Sequence, residues 1–151
     1  MLSSNRGISK MEYDLTRFTF AHQRYYETAL AEIKNGRKTS HWMWYIFPQL
    51  KDLGRSSTSK YYGIHDLNEA KAFLEDDYLG NNLKEIATAL LQLKCNDSRL
   101  IMGRPDDMKL KSSMTLFKLA APEENIFNQV LEKFFAGKPD YRTINLLESQ
   151  K

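Results

Sequence analysis

Apolar residues in this chain recur at three- and four-residue steps, and each run ends at a helix stop signal. From Asp14, a ready N-cap, the residues Leu15, Phe18, Ala21, Tyr25, Ala29 and Ile33 fall on one helical face before Asn35–Gly36 ends it. A short helix is expected after Ser40, stopped by Pro48. Gly54 and Ser56 to Ser59 mark a loop or a single turn, and Gly63 marks another break. Asp66 with Glu69 reads as a capping box for a helix over 67–75. Asp77 is expected to cap the next, with Leu79, Leu83, Ile86, Leu90 and Leu93 on its core face. Asp97 opens a short helix closed by Gly103, Pro105 a longer one through Leu119, and Pro122 one through Phe135. Gly137 ends that element, and Asp140 opens a last helix to Leu147.

Strand-type alternation never persists, and no internal repeat or long linker divides the chain. The spacing therefore predicts an all-α, compact single-domain bundle of about seven to nine short and medium helices over residues 12–151, preceded by a flexible leader at 1–11. With 151 residues, 42% hydrophobic and 27% charged, the chain can close a core without a metal or disulfide, and disorder is excluded as its main state. Cys95 is the single cysteine, which excludes an intramolecular disulfide and any multi-cysteine metal site. His22 and His65 lack the spacing of metal ligands, so no metal and no cofactor is indicated.

The longest purely apolar run, Trp42 to Phe47, falls far short of the ~20 residues a membrane helix needs. No secretory-type apolar stretch opens the chain, so a cytoplasmic location is expected. Twenty-two basic against 19 acidic residues give a net charge of +3 with the signs mixed, which disfavours nucleic acid as a partner. Arg24, Lys34, Arg37 and Lys38 read as a solvated face, and Tyr61 with Tyr62 as one exposed and one buried ring.

Two stretches carry the chemistry. In Ser40-His41-Trp42-Met43-Trp44-Tyr45-Ile46-Phe47-Pro48-Gln49, residues two apart lie about 200° apart on a helix, so Trp42 and Trp44 cannot share a face. The segment is apolar nearly all round and has to be enclosed, and each indole N–H then needs an acceptor. His41 is either a satisfied core histidine or an acid, base or anion donor on a pocket wall. In the second stretch, Gly103 to Phe117, Leu110, Met114 and Phe117 form a core face. Asp106, Lys109 and Ser113 form a polar row beside it, and Ser112 and Thr115 another. Asp106 and Asp107 suit a first helical turn as complements of the dipole. Serine and threonine inside a helix call for back-bonding or a partner. Lys109 beside Ser113 admits a nucleophile-and-base reading, and Lys109 with the hydroxyls admits a phosphate or carboxylate site. Whether the protein is an enzyme stays open.

These stretches, with Leu53-Gly54-Arg55-Ser56 and Tyr62-Gly63-Ile64, resemble the hallmark segments of a largely bacterial family catalogued as domain of unknown function 1810, whose members are often labelled calpastatin. The resemblance runs from Asp14 to Leu147 and implies a compact all-helical domain of unestablished activity, with no catalytic residues to carry over. That label fits poorly, since the inhibitor is repetitive and disordered whereas this chain is aromatic and non-repetitive. Asp52 stands where the family leads one to expect Gly, and His22 where Gln is usual.

Three readings follow. The first is a site for an anionic small molecule, nucleotide-like or sugar-phosphate-like, built from His41, Trp42, Trp44, Gln49, Arg55, Lys109, Ser112, Ser113 and Thr115. The second is a protein-interaction module with an exposed aromatic patch. The third is a buried network in which both stretches satisfy each other.

Overall fold

Side-chain caps set most of the helix starts. The computed structural model describes residues 13–151, so the expected leader at 1–11 lies outside the described residues. Helix α1 (Thr16–Lys34) follows Leu15, and Asp14 accepts from the Thr16 N–H at 3.0 Å, one position earlier than a standard N-cap. Gly36, at φ +85°, closes it as expected. Helix α2 (Met43–Ile46) is one turn long and stops at Phe47, since the residue before a proline is pushed out of the helical region. A 3-10 turn (Lys51–Leu53) and α3 (Ser57–Tyr61), capped by Ser56, follow.

Asp66 caps α4 (Leu67–Glu75) by accepting from Glu69 N–H at 2.8 Å. The return arm of that box is displaced by one residue: the Glu69 carboxylate accepts from His65 N–H, also at 2.8 Å. Helix α5 (Asp77–Gln92) is capped by Asp76 and not by Asp77, because Asp76 is extended and its carboxylate takes the N–H groups of Tyr78 and Leu79. Asp97 caps α6 (Ser98–Met102), which Gly103 closes, and α7 (Asp106–Ala120) begins directly after Pro105. Helix α8 (Ile126–Phe135) starts later than Pro122 suggests. Ala121, pushed out of the helical region before the proline, ends α7, and Glu124 N–H bonds back to the Ala121 carbonyl in a turn that comes first. Asp140 caps α9 (Tyr141–Ser149). Among the described residues, nine α-helices and a single Leu50–Ile64 bridge as the β-type pairing make this an all-α bundle.

Helix α5 lies against α1, α4 and α8, and α7 lies against α4, α6, α8 and α9. Fully buried phenylalanines run through the centre: Phe18 meets Phe73 at 5.1 Å, Phe73 meets Phe117 at 5.4 Å, and Phe117 meets Phe127 at 5.8 Å between ring centres. Each such side chain contributes about 1.5–3 kcal/mol by leaving water, so this row ties α1, α4, α7 and α8 together. Gly63 is held against the 3-10 turn so tightly that a Cβ there would lie 2.3 Å from Lys51 Cα. With the Lys51 N–H bonded to the Ile64 carbonyl at 2.8 Å, this packing brings the Gln49 end of the first motif beside Tyr62 and Gly63. No described helix is long and apolar enough to cross a membrane.

Candidate functional site

Trp42 and Trp44 have opposite fates. Trp42 is 1% exposed, and its indole N–H donates to Glu32 Oε1 at 2.9 Å. The same carboxylate accepts from the backbone N–H groups of Thr39 and Ser40 and from the Ser40 hydroxyl. Partial burial pushes the Glu32 carboxyl up, but these four donors outweigh it and hold its pKa down at about 2. Lys38 stacks over the Trp42 ring at 4.9 Å and pairs with Asp106 at 2.8 Å; its side chain is only 6% exposed. The expectation of a solvated face therefore fails at Lys38, because Trp42 and Asp106 bury it between them.

Trp44 faces the other way and is half-buried. It meets Gln49, Ser59, Tyr62, Gly63 and Lys109 around a narrow recess. Met43 and Phe47 complete the lining, and Lys109 Nζ lies 5.4 Å from the Trp44 ring centre. The space inside is about 10 Å³, room for about one water. Larger clefts lie elsewhere: one of about 490 Å³ between α4, α5 and the end of α7 is bordered by the Lys84–Glu124 pair and contains neither motif.

Beside the recess runs a row of tyrosines that the sequence did not single out as a site. Tyr25 meets Tyr45 at 5.6 Å, Tyr45 meets Tyr62 at 5.0 Å, and Tyr62 meets Tyr61 edge-on at 4.8 Å. Tyr25 is 42% and Tyr61 61% exposed, Tyr62 half-buried and Tyr45 buried. Burial pushes the Tyr45 hydroxyl up to about 12 and raises that of Tyr62, so both stay protonated donors. The sequence pointed away from this row: Tyr25 was expected on the core face of α1, but it is 42% exposed and its neighbour Tyr26 takes the buried position. Behind the row, His22 is 1% exposed, with Nε2–H bonded to the Tyr45 carbonyl at 2.8 Å and Nδ1 to the Asn82 amide at 3.1 Å.

Of the residues named from sequence, Trp44, Gln49 and Lys109 come together at the recess. His41 is exposed beside it in sequence, and its carbonyl accepts from the Tyr45 hydroxyl at 3.1 Å. Arg55 is exposed and does not line the recess. Ser112 and Thr115 turn to α9: Ser112 donates to the Asp140 carboxylate at 2.8 Å, and Asp140 N–H donates to the Thr115 hydroxyl at 2.8 Å. Both hydroxyls also reach back to the carbonyl four residues earlier, as helix-interior serine and threonine commonly do. Ser113 is fully buried and its hydroxyl oxygen has no hydrogen-bond partner, as is also true of Asp107 Oδ1. Among the described residues, no group of three or more His, Cys, Asp or Glu stands together as a metal site.

An all-α bundle with an aromatic, cation-edged recess on one face is the class of protein these features define. Within that class the chain belongs to the family described as "Protein of unknown function (DUF1810)", which it matches over residues 12–147. It is similar to a solved structure, the conserved hypothetical protein Rv1873 from Mycobacterium tuberculosis. The two share 42% identity over 91% of this chain and 98% of that one, with a TM-score of 0.89. No curated protein matches the chain.

Proposed function

We propose that the protein is an interaction module of the cytoplasm, which recognises another protein through the face formed by Tyr25, Tyr45, Tyr61, Tyr62 and Trp44. One observation carries the reading: four tyrosine rings in unbroken contact, two of them 42% and 61% exposed, adjoin a half-buried tryptophan. Tyrosine and tryptophan dominate the energetic centres of protein interfaces, because they offer a large apolar area with few rotors and a polar tip. The row is rigid: Tyr45 is clamped through its carbonyl by buried His22, and Tyr62 packs on core Phe18 at 6.3 Å. A surface already ordered loses little entropy on binding.

An anionic small molecule such as a nucleotide or sugar phosphate is the competing occupant, favoured by the meeting of Trp44, Gln49 and Lys109. A ligand of that size needs roughly 300–1,000 Å³, against about 10 Å³ in the recess. Site-specific photocrosslinking in living cells separates the readings. A photoreactive phenylalanine analogue at Tyr61 is expected to give a discrete crosslinked species that disappears with Tyr25→Ala, while the same group at Tyr141 gives none. Equal crosslinking from both positions, or none from either, contradicts the interface.

A further inference from the structure

The recess at the edge of the tyrosine row has a chemical bias of its own. Among the described residues, none accepts from the Trp44 indole N–H, the Gln49 carboxamide or the Tyr62 hydroxyl. Lys109 is the cation on its wall. Its one ion pair is at 3.6 Å, to the Asp106 carboxylate that Lys38 already holds at 2.8 Å. No carboxylate lines the recess, and its floor is the apolar Met43 and Phe47. An ammonium and three neutral polar side chains therefore belong to the lining of one small space, and none of them brings a negative charge to balance the ammonium. Water supplies the acceptor in the free protein. A charged acceptor takes such donors more strongly than water does, and an ammonium with several hydrogen bonds is the usual recognition set for a carboxylate.

Resting on the interface reading above, we infer that this recess is the selectivity pocket of the face and takes the side-chain carboxylate of an aspartate or glutamate on the partner protein. Size supports that choice. Space of about 10 Å³ holds one water, so a single carboxylate oxygen can take that water's place while a planar base or a sugar ring cannot enter. Position supports it too: Tyr62 belongs to both the recess and the tyrosine row, so an acidic residue entering the recess sets its apolar neighbours down on Tyr61 and Tyr25. A rim of cations extends the same preference, with the Arg24 guanidinium 5.7 Å from the Tyr25 ring centre and Arg17 bonded to the Gly63 carbonyl at 3.0 Å. Arg17 is partly neutralised by Glu69, so Lys109 is the principal charge.

The test is selection of binders from a random linear peptide library displayed against the whole protein, with the Tyr25→Ala/Tyr61→Ala double variant as counter-selection. The selected peptides are expected to share an Asp or Glu at a fixed distance from an aromatic or aliphatic residue. Replacing that acid by its amide in the peptide, with the protein unchanged, should weaken binding by about tenfold or more, the loss of one charge-assisted hydrogen bond. Lys109→Gln in the protein should cost a similar factor and remove most of the remaining preference for acid over amide. Peptides that depend on Tyr25 and Tyr61 but carry no acid and ignore Lys109→Gln overturn the carboxylate pocket and leave the interface standing. Failure to obtain any peptide that depends on the two tyrosines overturns both.

Discussion

His22 is buried with both ring nitrogens bonded, and that arrangement exists only for the neutral ring with its proton on Nε2. Burial depresses its pKa to about 4, opposed by the Tyr45 carbonyl and the charge of Asp76, against 6.5 for an ordinary histidine. Tyr26 stacks on the ring and donates its hydroxyl to Glu85, and Phe73 and Tyr78 pack edge-on. The unfolded chain takes up a proton below pH 6.5 that the folded chain refuses until about pH 4. The contribution of about 3 kcal/mol is complete above pH 6.5 and is lost as pH falls through that window. Urea titrations at about pH 7.5 and about pH 4.5 should therefore show the wild type losing about 2–3 kcal/mol more than His22→Gln, whose amide can keep the bond to Tyr45. Equal losses would mean that His22 is not the acid-sensitive group. Nothing local in the sequence marks His22 as buried, since Asn82, its partner, lies sixty residues away.

At the scale of helices, a single carboxylate fastens α9 to the bundle. Asp140 caps its own helix through Thr143 N–H and hydroxyl, and accepts from Ser112 on α7, while its N–H donates to Thr115. Asp140→Ala removes the cap and leaves the buried Thr143 hydroxyl without its acceptor, while Ser112 keeps only its bond to the Met108 carbonyl, so a loss of about 2 kcal/mol in thermal or urea unfolding is expected. Asp140→Asn should recover part of it, and a loss below about 0.5 kcal/mol would show that the staple is idle. Most of the helices were legible in the sequence because their boundaries depend on local chemistry. Asp66, Asp97 and Asp140 cap as read, and Gly36 and Gly103 stop helices at positive φ, while α8 ends one residue before Gly137, at left-handed Ala136. The errors came where two local signals competed. Asp76 and Asp77 are adjacent and either could cap; Pro122 could have opened a helix, but the turn behind it came first. The hydroxyl row was legible as needing back-bonds or a partner, and Ser112 and Thr115 have both, but the identity of the partner was not, since Asp140 comes from another helix.

At the scale of the molecule, the two motifs divide their labour. The Trp42 side of the first and the hydroxyl side of the second build internal networks through Glu32, Lys38 and Asp140. The Trp44 side and Lys109 are left facing outward. Of the nine residues expected at one site, Trp44, Gln49 and Lys109 share the recess, whereas Trp42, Ser112, Ser113 and Thr115 are buried elsewhere in the packing. The sequence missed the tyrosine row, which is assembled from α1, α2 and α3 by tertiary packing alone. An interface on that face is the claim on which the rest depends, and hydroxyl-radical footprinting measures it most directly. Tyr61 and Tyr141 are almost equally exposed, at 61% and 63%, and only Tyr61 belongs to the row. In the purified protein the two should oxidise at comparable rates; in living cells Tyr61 should be protected several-fold relative to Tyr141. An unchanged ratio between the two settings would contradict the account.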